Sequence, residues 1–135
     1  MRVPKVREIP VVLRSCILAA IVPVMVKALP LPRVLSLLEP RKRVQSSCDP
    51  YELARIVSAA VRLGPRFGVG ECLVRSLVLY NSLRRAAYAP LLVIGGRLSD
   101  DRFEGHCWIE IDGKPLAEPN DPGDIARIFA HSGSR

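Results

Sequence analysis

The sequence predicts an α+β domain in which N-terminal helices and a helix headed by a cysteine pack on a small antiparallel sheet. Apolar residues recur with a helical period through the first two thirds of the chain, strand-like patterns follow Pro90, and an Asp-Gly pair suits a hairpin turn. The length of 135 residues corresponds to about one domain. Because hydrophobic residues make up 49% of the chain but aromatic residues only 5%, we expect an aliphatic core.

The first helix is predicted in the strongly apolar segment from Ile9 to Leu29, which Arg14, Pro23 and Lys27 interrupt. The uncharged run 15–26 is well short of the ~20 apolar residues that a membrane-spanning helix needs. We therefore expect a helix that is buried or that faces a partner. A peripheral membrane contact is the alternative interpretation.

Two more helices are predicted before the first glycine cluster. A short one follows the prolines and ends before Pro40, and a longer one begins where Asp49 can cap it and Pro50 can occupy its first position. We divide the chain into apolar N-terminal helices over 1–45, a docking or packing region, and a core over 46–135. The two parts are expected to form one continuous domain.

Charge and cysteine content narrow the possible partners and cofactors. The net charge is +7, but the basic run 41–43 has no aromatic neighbours for base stacking, so we interpret it as a solvated linker and expect no nucleic-acid partner. The four cysteines are widely spaced and form no C-x-x-C pair, which argues against disulfides and against a zinc site. We expect buried thiols at three of them, a cytoplasmic location and no cofactor. The cysteines are Cys16, Cys48, Cys72 and Cys107.

The segment from Gly68 to Glu71 precedes a long helical pattern and puts Cys72 at or next to a helix N-terminus. The free N–H groups and partial positive charge of a first helical turn favour a thiolate, and the same amides can donate to an oxyanion. The negative charge of Glu71 works against the thiolate, although an acid in the first turn also favours the helix. For Cys72 alone, a buried structural cysteine is the alternative.

Strands are predicted after this helix. A buried strand over 89–96 is expected to end at its two glycines, and residues 103–111 alternate as a half-exposed strand that carries His106. The Asp-Gly pair at 112–113 supplies a turn, after which 114–118 should return as the next strand.

A cysteine nucleophile needs a base within hydrogen-bond reach, and the base needs a third group that orients it. His106 is the candidate base, although a lone strand histidine is more often only a satisfied polar group. His131 lies near a C terminus that we expect to be frayed, so we assign it no catalytic role.

The third group depends on the length of the hairpin loop. With a three-residue loop over 112–114, Trp108 faces Glu118, which then shares a sheet face with His106. With a two-residue loop Glu118 would face away. Asp112 on the turn is the alternative orienting group, but its ordinary role is turn formation.

Three segments of the chain together resemble a known enzyme family. The segments 72–79, 92–97 and 103–116 are similar to the lasso-peptide maturation proteases, the leader-removing "B" proteins of the transglutaminase-like, papain-like cysteine peptidase superfamily. The resemblance implies a Cys-His-Asp triad whose first two members fall on Cys72 and His106. This chain has Glu118 where the family usually has aspartate.

The resemblance also implies a function and partners. The protein would remove the leader from a ribosomally made precursor, with a separate leader-binding recognition protein and a macrolactam-forming cyclase in the same pathway. Another amide-handling enzyme of the superfamily and an inactive adaptor that binds peptide or membrane are the alternatives. We expect the helices between Ile9 and Leu38, including Leu35, to help dock the recognition protein.

Overall fold

The computed structural model describes residues 9–43, 49–65, 68–116 and 125–132, and the structural statements below concern these residues. They form four helices and four strands, which confirms the predicted α+β class. The helices are α1 (Ile9–Ala28), α2 (Leu31–Leu38), α3 (Pro50–Leu63) and α4 (Glu71–Arg85). The strands are β1 (Leu91–Ser99), β2 (Arg102–Ile111), β3 (Lys114–Pro115) and β4 (Ala126–His131).

The helices begin and end close to the predicted positions. Pro30 is extended and separates α1 from α2. The Asp49 carboxylate accepts a 2.8 Å hydrogen bond from the backbone N–H of Tyr51, and Pro50 occupies the first position of α3. α3 ends at Gly64, as predicted. α1 packs against α3 and α4, so the apolar N-terminal segment contributes to the core.

The four strands form one antiparallel sheet in the order β3-β2-β1-β4. Because side chains alternate along a strand, each strand presents two different faces. On one face, Leu92, Cys107 and Ile109 join the helices in a single hydrophobic core. On the other, His106 and Trp108 lie together. The core on the helix side of the sheet is aliphatic as predicted, apart from the fully buried Tyr80.

The first strand does not end at its glycines, contrary to the prediction, because β4 approaches it there. A Cβ atom on Gly95 would lie 2.7 Å from the carbonyl oxygen of Ala126 and 2.8 Å from Cγ2 of Ile125. Glycine inside a strand often marks such a close backbone approach. The β1 ladder therefore continues through Gly95 and Gly96 to Ser99, with an irregular register beside β4.

The last strand was not predicted at all. β4 pairs with β1, and Leu92 lies opposite His131, so the chain is not frayed at this histidine. Of the expected return strand 114–118, the described residues form β3, which comprises Lys114 and Pro115, and residues 117 and 118 lie outside the described part of the chain.

The outer face of α1 carries a row of exposed apolar side chains. The helix is long and apolar enough to cross a membrane by length and composition alone. Core helices of soluble proteins meet the same criterion, so it does not by itself assign a membrane span. The expectation that Leu35 and Leu38 contribute to docking is wrong, because both are buried in the core. Cys16, expected to be buried, is exposed.

Candidate active site

Cys72 lies in the first turn of α4, as predicted. The helix begins at Glu71 with Gly70 as its extended N-cap, and no side chain caps it. The first N–H groups of a helix lack intrahelical partners, so the backbone around Cys72 can donate to an anion. The Cys72 side chain is half-buried. Arg62 lies 4.0 Å from the Glu71 carboxylate at the protein surface.

His106 lies in the first half of β2, opposite Gly95 on β1. Its ring is half-buried and stacks on the indole of Trp108, with 5.7 Å between ring centroids and 25° between ring planes. An aromatic neighbour at this distance limits the orientations open to an imidazole.

Cys72 and His106 line the same cavity, which has a volume of about 370 Å³. The two residues come from a helix N-terminus and from a sheet strand, which pack against each other. The structure therefore places the predicted nucleophile and the predicted base in the lining of one cavity.

Most of the cavity lining is apolar. The sequence analysis missed the contribution of the N-terminal helices, which supply four aliphatic residues around the break between α1 and α2. Proline breaks between apolar helices indicate a helical hairpin, but not which surface of the core it covers. The four residues are Val26, Leu29, Leu31 and Val34.

The third member of the triad is not assigned by the structure. The hairpin after β2 pairs Ile111 with Lys114, so its loop has two residues and not the three on which the argument for Glu118 depended. Asp112 and Gly113 both have positive φ, 53° and 78°, as this type of tight turn requires. Glu118 itself lies outside the described residues.

Asp112, the alternative orienting group, is too far from His106 for a direct hydrogen bond. It lies six positions further along the chain, in the turn beyond the end of β2. At ~3.3 Å per residue in a strand, the separation is about 20 Å. The role that Asp112 has in the structure is turn formation.

His131 lies on β4, on the helix-facing side of the sheet. Its ring is 5.5 Å from that of Tyr80 and stacks with Phe129. The Tyr80 hydroxyl in turn donates a 2.7 Å hydrogen bond to Glu39. These contacts place His131 beside the junction of α2 and α4.

Glu39 holds the end of α2 against α4 through partly buried polar contacts. Arg84 donates a 2.6 Å hydrogen bond to its carboxylate, and Arg43 donates another at 3.1 Å. Burial by itself would raise the pKa of Glu39, but the hydrogen bonds from Tyr80 and Arg84 and the two positive charges outweigh it and lower that pKa. Burial and the Glu39 carboxylate raise the pKa of Tyr80.

Within the described part of the chain, no cluster of three or more His, Cys, Asp or Glu side chains could hold a metal ion. Cys16, Cys72 and Cys107 form no disulfide, and Cys48 lies outside the described residues.

A family model described as the transglutaminase-like superfamily matches residues 16–130. No curated protein and no solved structure shows a significant match to the chain.

Proposed function

The chain belongs to the transglutaminase-like superfamily, and on that premise we propose that it is a cysteine-type endopeptidase with Cys72 as nucleophile and His106 as general base. The superfamily includes both cysteine peptidases and transglutaminases. The observation that best supports the assignment is that Cys72, at a helix N-terminus, and His106 line one cavity. Neither residue alone would support it.

In the proposed reaction, the Cys72 thiolate attacks the carbonyl carbon at the junction between leader and core peptide. The oxyanion formed accepts a hydrogen bond from the Cys72 backbone N–H. The C–N bond then breaks while His106 gives its proton to the leaving amine, and the leader remains as a thioester. His106 next removes a proton from water, which attacks the thioester and releases the leader carboxylate and the thiol.

The substrate is proposed to be the precursor of a lasso peptide. The resemblance of segments 72–79, 92–97 and 103–116 to the leader-removing proteases supports this substrate. The same resemblance is the sole support for Glu118 as the proposed orienting group, because the two-residue loop removes the hairpin argument for it. The apolar cavity supports a substrate with an uncharged, aliphatic side chain beside the scissile bond, because burying a charge there would be costly. The reaction would take place in the cytoplasm, where thiols stay reduced.

The outer face of α1 is the proposed docking surface for the separate leader-binding protein. Its exposed apolar residues lie three or four positions apart, which puts them on one side of the helix. α1 contains no acidic residue, and the net charge of the chain is +7, so an acidic rim on the partner is favoured. A cyclase would consume the amine that the cleavage frees. The exposed residues are Ile9, Leu13, Ile17, Ile21 and Val24.

The docking surface is tested by titrating the leader-binding protein into a fixed mixture of protease and precursor. Leu13→Asp and Ile17→Asp should weaken stimulation of cleavage by the partner. Leu63→Asp, which changes an exposed leucine on α3, should not. Equal stimulation of all three variants would contradict this docking surface. Loss of binding to anionic vesicles together with unchanged stimulation would indicate a membrane contact instead.

The reaction class is tested by product analysis with an added primary amine. A peptidase releases the leader with a free carboxylate, whereas a transglutaminase or acyltransferase transfers the acyl group to the amine. A binding adaptor leaves the precursor intact. Mass spectrometry separates these outcomes, and predominant amine adduct or an intact precursor would contradict the proposed hydrolysis.

A further inference from the structure

Behind the proposed base lies a buried aromatic side chain. The indole of Trp108 is 1% exposed and stacks on the His106 ring with 25° between the planes. The two residues alternate with Cys107 along β2 and therefore project from the same face of the sheet. The buried indole of Trp108 thus packs against one side of the imidazole.

Trp108 is itself held by a buried carboxylate. Its Nε1–H donates a 2.8 Å hydrogen bond to Oε2 of Glu110, two residues further along the same face of β2. Arg127 on β4 donates a 2.7 Å hydrogen bond to the same oxygen. A buried carboxylate is costly unless it is paired and hydrogen-bonded, and the Glu110 side chain is only 4% exposed. The indole and the guanidinium together satisfy Oε2 of that carboxylate.

The missing side chain at Gly95 makes room for this arrangement. Gly95 lies opposite His106 on one side and opposite Arg127 on the other. A Cβ atom at this position would lie 3.2 Å from Cη2 of Trp108, in addition to its clashes with β4. A side chain at position 95 would therefore press on the indole and displace it by a few tenths of an ångström.

We infer that Trp108, anchored by Glu110 and Arg127, is a positioning residue that fixes the plane of the His106 imidazole for proton transfer with Cys72. This inference rests on the proposed peptidase function. Groups that orient a functional side chain from behind contribute by restricting it to the productive geometry. None of the three residues needs to touch the substrate.

The stacking itself is tested by fluorescence, because Trp108 is the only tryptophan in the chain. A ring stacked on an indole alters its emission. His106→Gln removes the imidazole and should change the Trp108 emission spectrum relative to the wild-type protein. Identical emission spectra of the two proteins would contradict the contact.

The positioning role is tested by kinetics on the full chain with its precursor. Trp108→Leu should lower kcat by roughly 10- to 100-fold, the usual cost of losing an orienting group, with KM within about twofold. Trp108→Phe keeps a ring beside His106 and should recover part of the loss. Glu110→Gln, which can still accept the indole N–H, should retain more activity than Glu110→Leu.

A stability control separates positioning from folding. Leu53→Ala removes buried core packing in α3, away from the cavity, and should lower the melting temperature while leaving kcat near the wild-type value. If Trp108→Leu does not fold, the kcat values of Trp108→Phe and Glu110→Gln test the positioning role instead. Wild-type kcat in folded Trp108 and Glu110 variants would overturn the inference but not the peptidase assignment, which Cys72→Ala tests separately.

Discussion

The Ser76 hydroxyl donates a 3.1 Å hydrogen bond to the backbone carbonyl of Cys107 inside the protein. Ser76 lies one helical turn after Cys72, and Cys107 directly follows His106. The bond therefore joins the helix that carries the proposed nucleophile to the strand that carries the proposed base. Because both groups are buried, water does not compete for the bond, and it fixes the helix relative to the strand.

Ser76→Ala should lower the free energy of unfolding by about 1 kcal/mol, the usual net value of such a hydrogen bond. It should also lower kcat more than it raises KM, because it loosens the helix that carries Cys72. Ser82→Ala is the matched control, since the Ser82 hydroxyl is buried on the same helix with no hydrogen-bond partner among the described residues. Denaturant unfolding and precursor kinetics compare the two variants. Equal stability of both would contradict a structural role for the Ser76 bond.

The Glu39 cluster should make the protein acid-sensitive. Because the folded-state pKa of Glu39 is lowered, its contribution is fully present above its ordinary value of 4.5 and is lost as the pH falls towards the lowered value. Glu39→Gln should cost about 2 kcal/mol near neutral pH, since it loses charge-assisted hydrogen bonds with Tyr80 and Arg84. Denaturant unfolding from pH 7 down to about pH 3 should show the difference from wild type shrinking on acidification. A difference independent of pH would contradict this account.

The two strand glycines should respond differently to alanine. Gly95→Ala should destabilise the protein strongly, because the new Cβ meets the backbone of β4. Gly96→Ala should cost much less, because its new Cβ meets only the ring of Phe103, which is 65% exposed and can move aside. Thermal unfolding of the two variants decides the matter, and similar melting temperatures would contradict the close β1–β4 approach.

The N-terminal helices should influence which precursors are cleaved. Leu31→Trp places a larger side chain in the cavity and should raise KM most for precursors with a bulky residue beside the scissile bond. Leu37→Trp, at an exposed position of the same helix, should have no such effect. The comparison uses matched precursors with alanine or leucine at that residue. An equal KM ratio for both variants would mean that this part of the cavity does not bind the substrate side chain.

The helices, the position of Cys72 at a helix start and the position of His106 on a strand could be predicted from sequence because local rules define them. Asp49 and Pro50 indicate where α3 begins, and the glycines before Cys72 indicate where α4 begins. The positive φ at both turn residues fixes a two-residue hairpin, but Asp-Gly suits more than one loop length, so the register around Glu118 could not be chosen.

Other features depend on contacts between distant segments. β4 was missed because its pairing with β1 uses Gly95, which by itself indicates a strand end, and because its exposed residues lack a clear alternation. The contacts of Glu110 with Trp108 and with Arg127 also could not be predicted from neighbouring residues in the sequence, since a strand glutamate is ordinarily expected at the surface. The cavity wall from α1 and α2 likewise depends on how the helical hairpin packs on the core.

The most direct test of the central claim measures cleavage of the precursor by folded Cys72→Ala and His106→Ala variants. The reaction contains the leader-binding protein, and mass spectrometry detects the products. Cys16→Ala, at an exposed cysteine outside the cavity, is the matched control. Because nucleophile and base act as a unit, each active-site variant should lower the rate by at least ~1,000-fold, and the control should cleave at the wild-type rate. Cleavage by Cys72→Ala at the wild-type rate would contradict the assignment of Cys72 as the nucleophile.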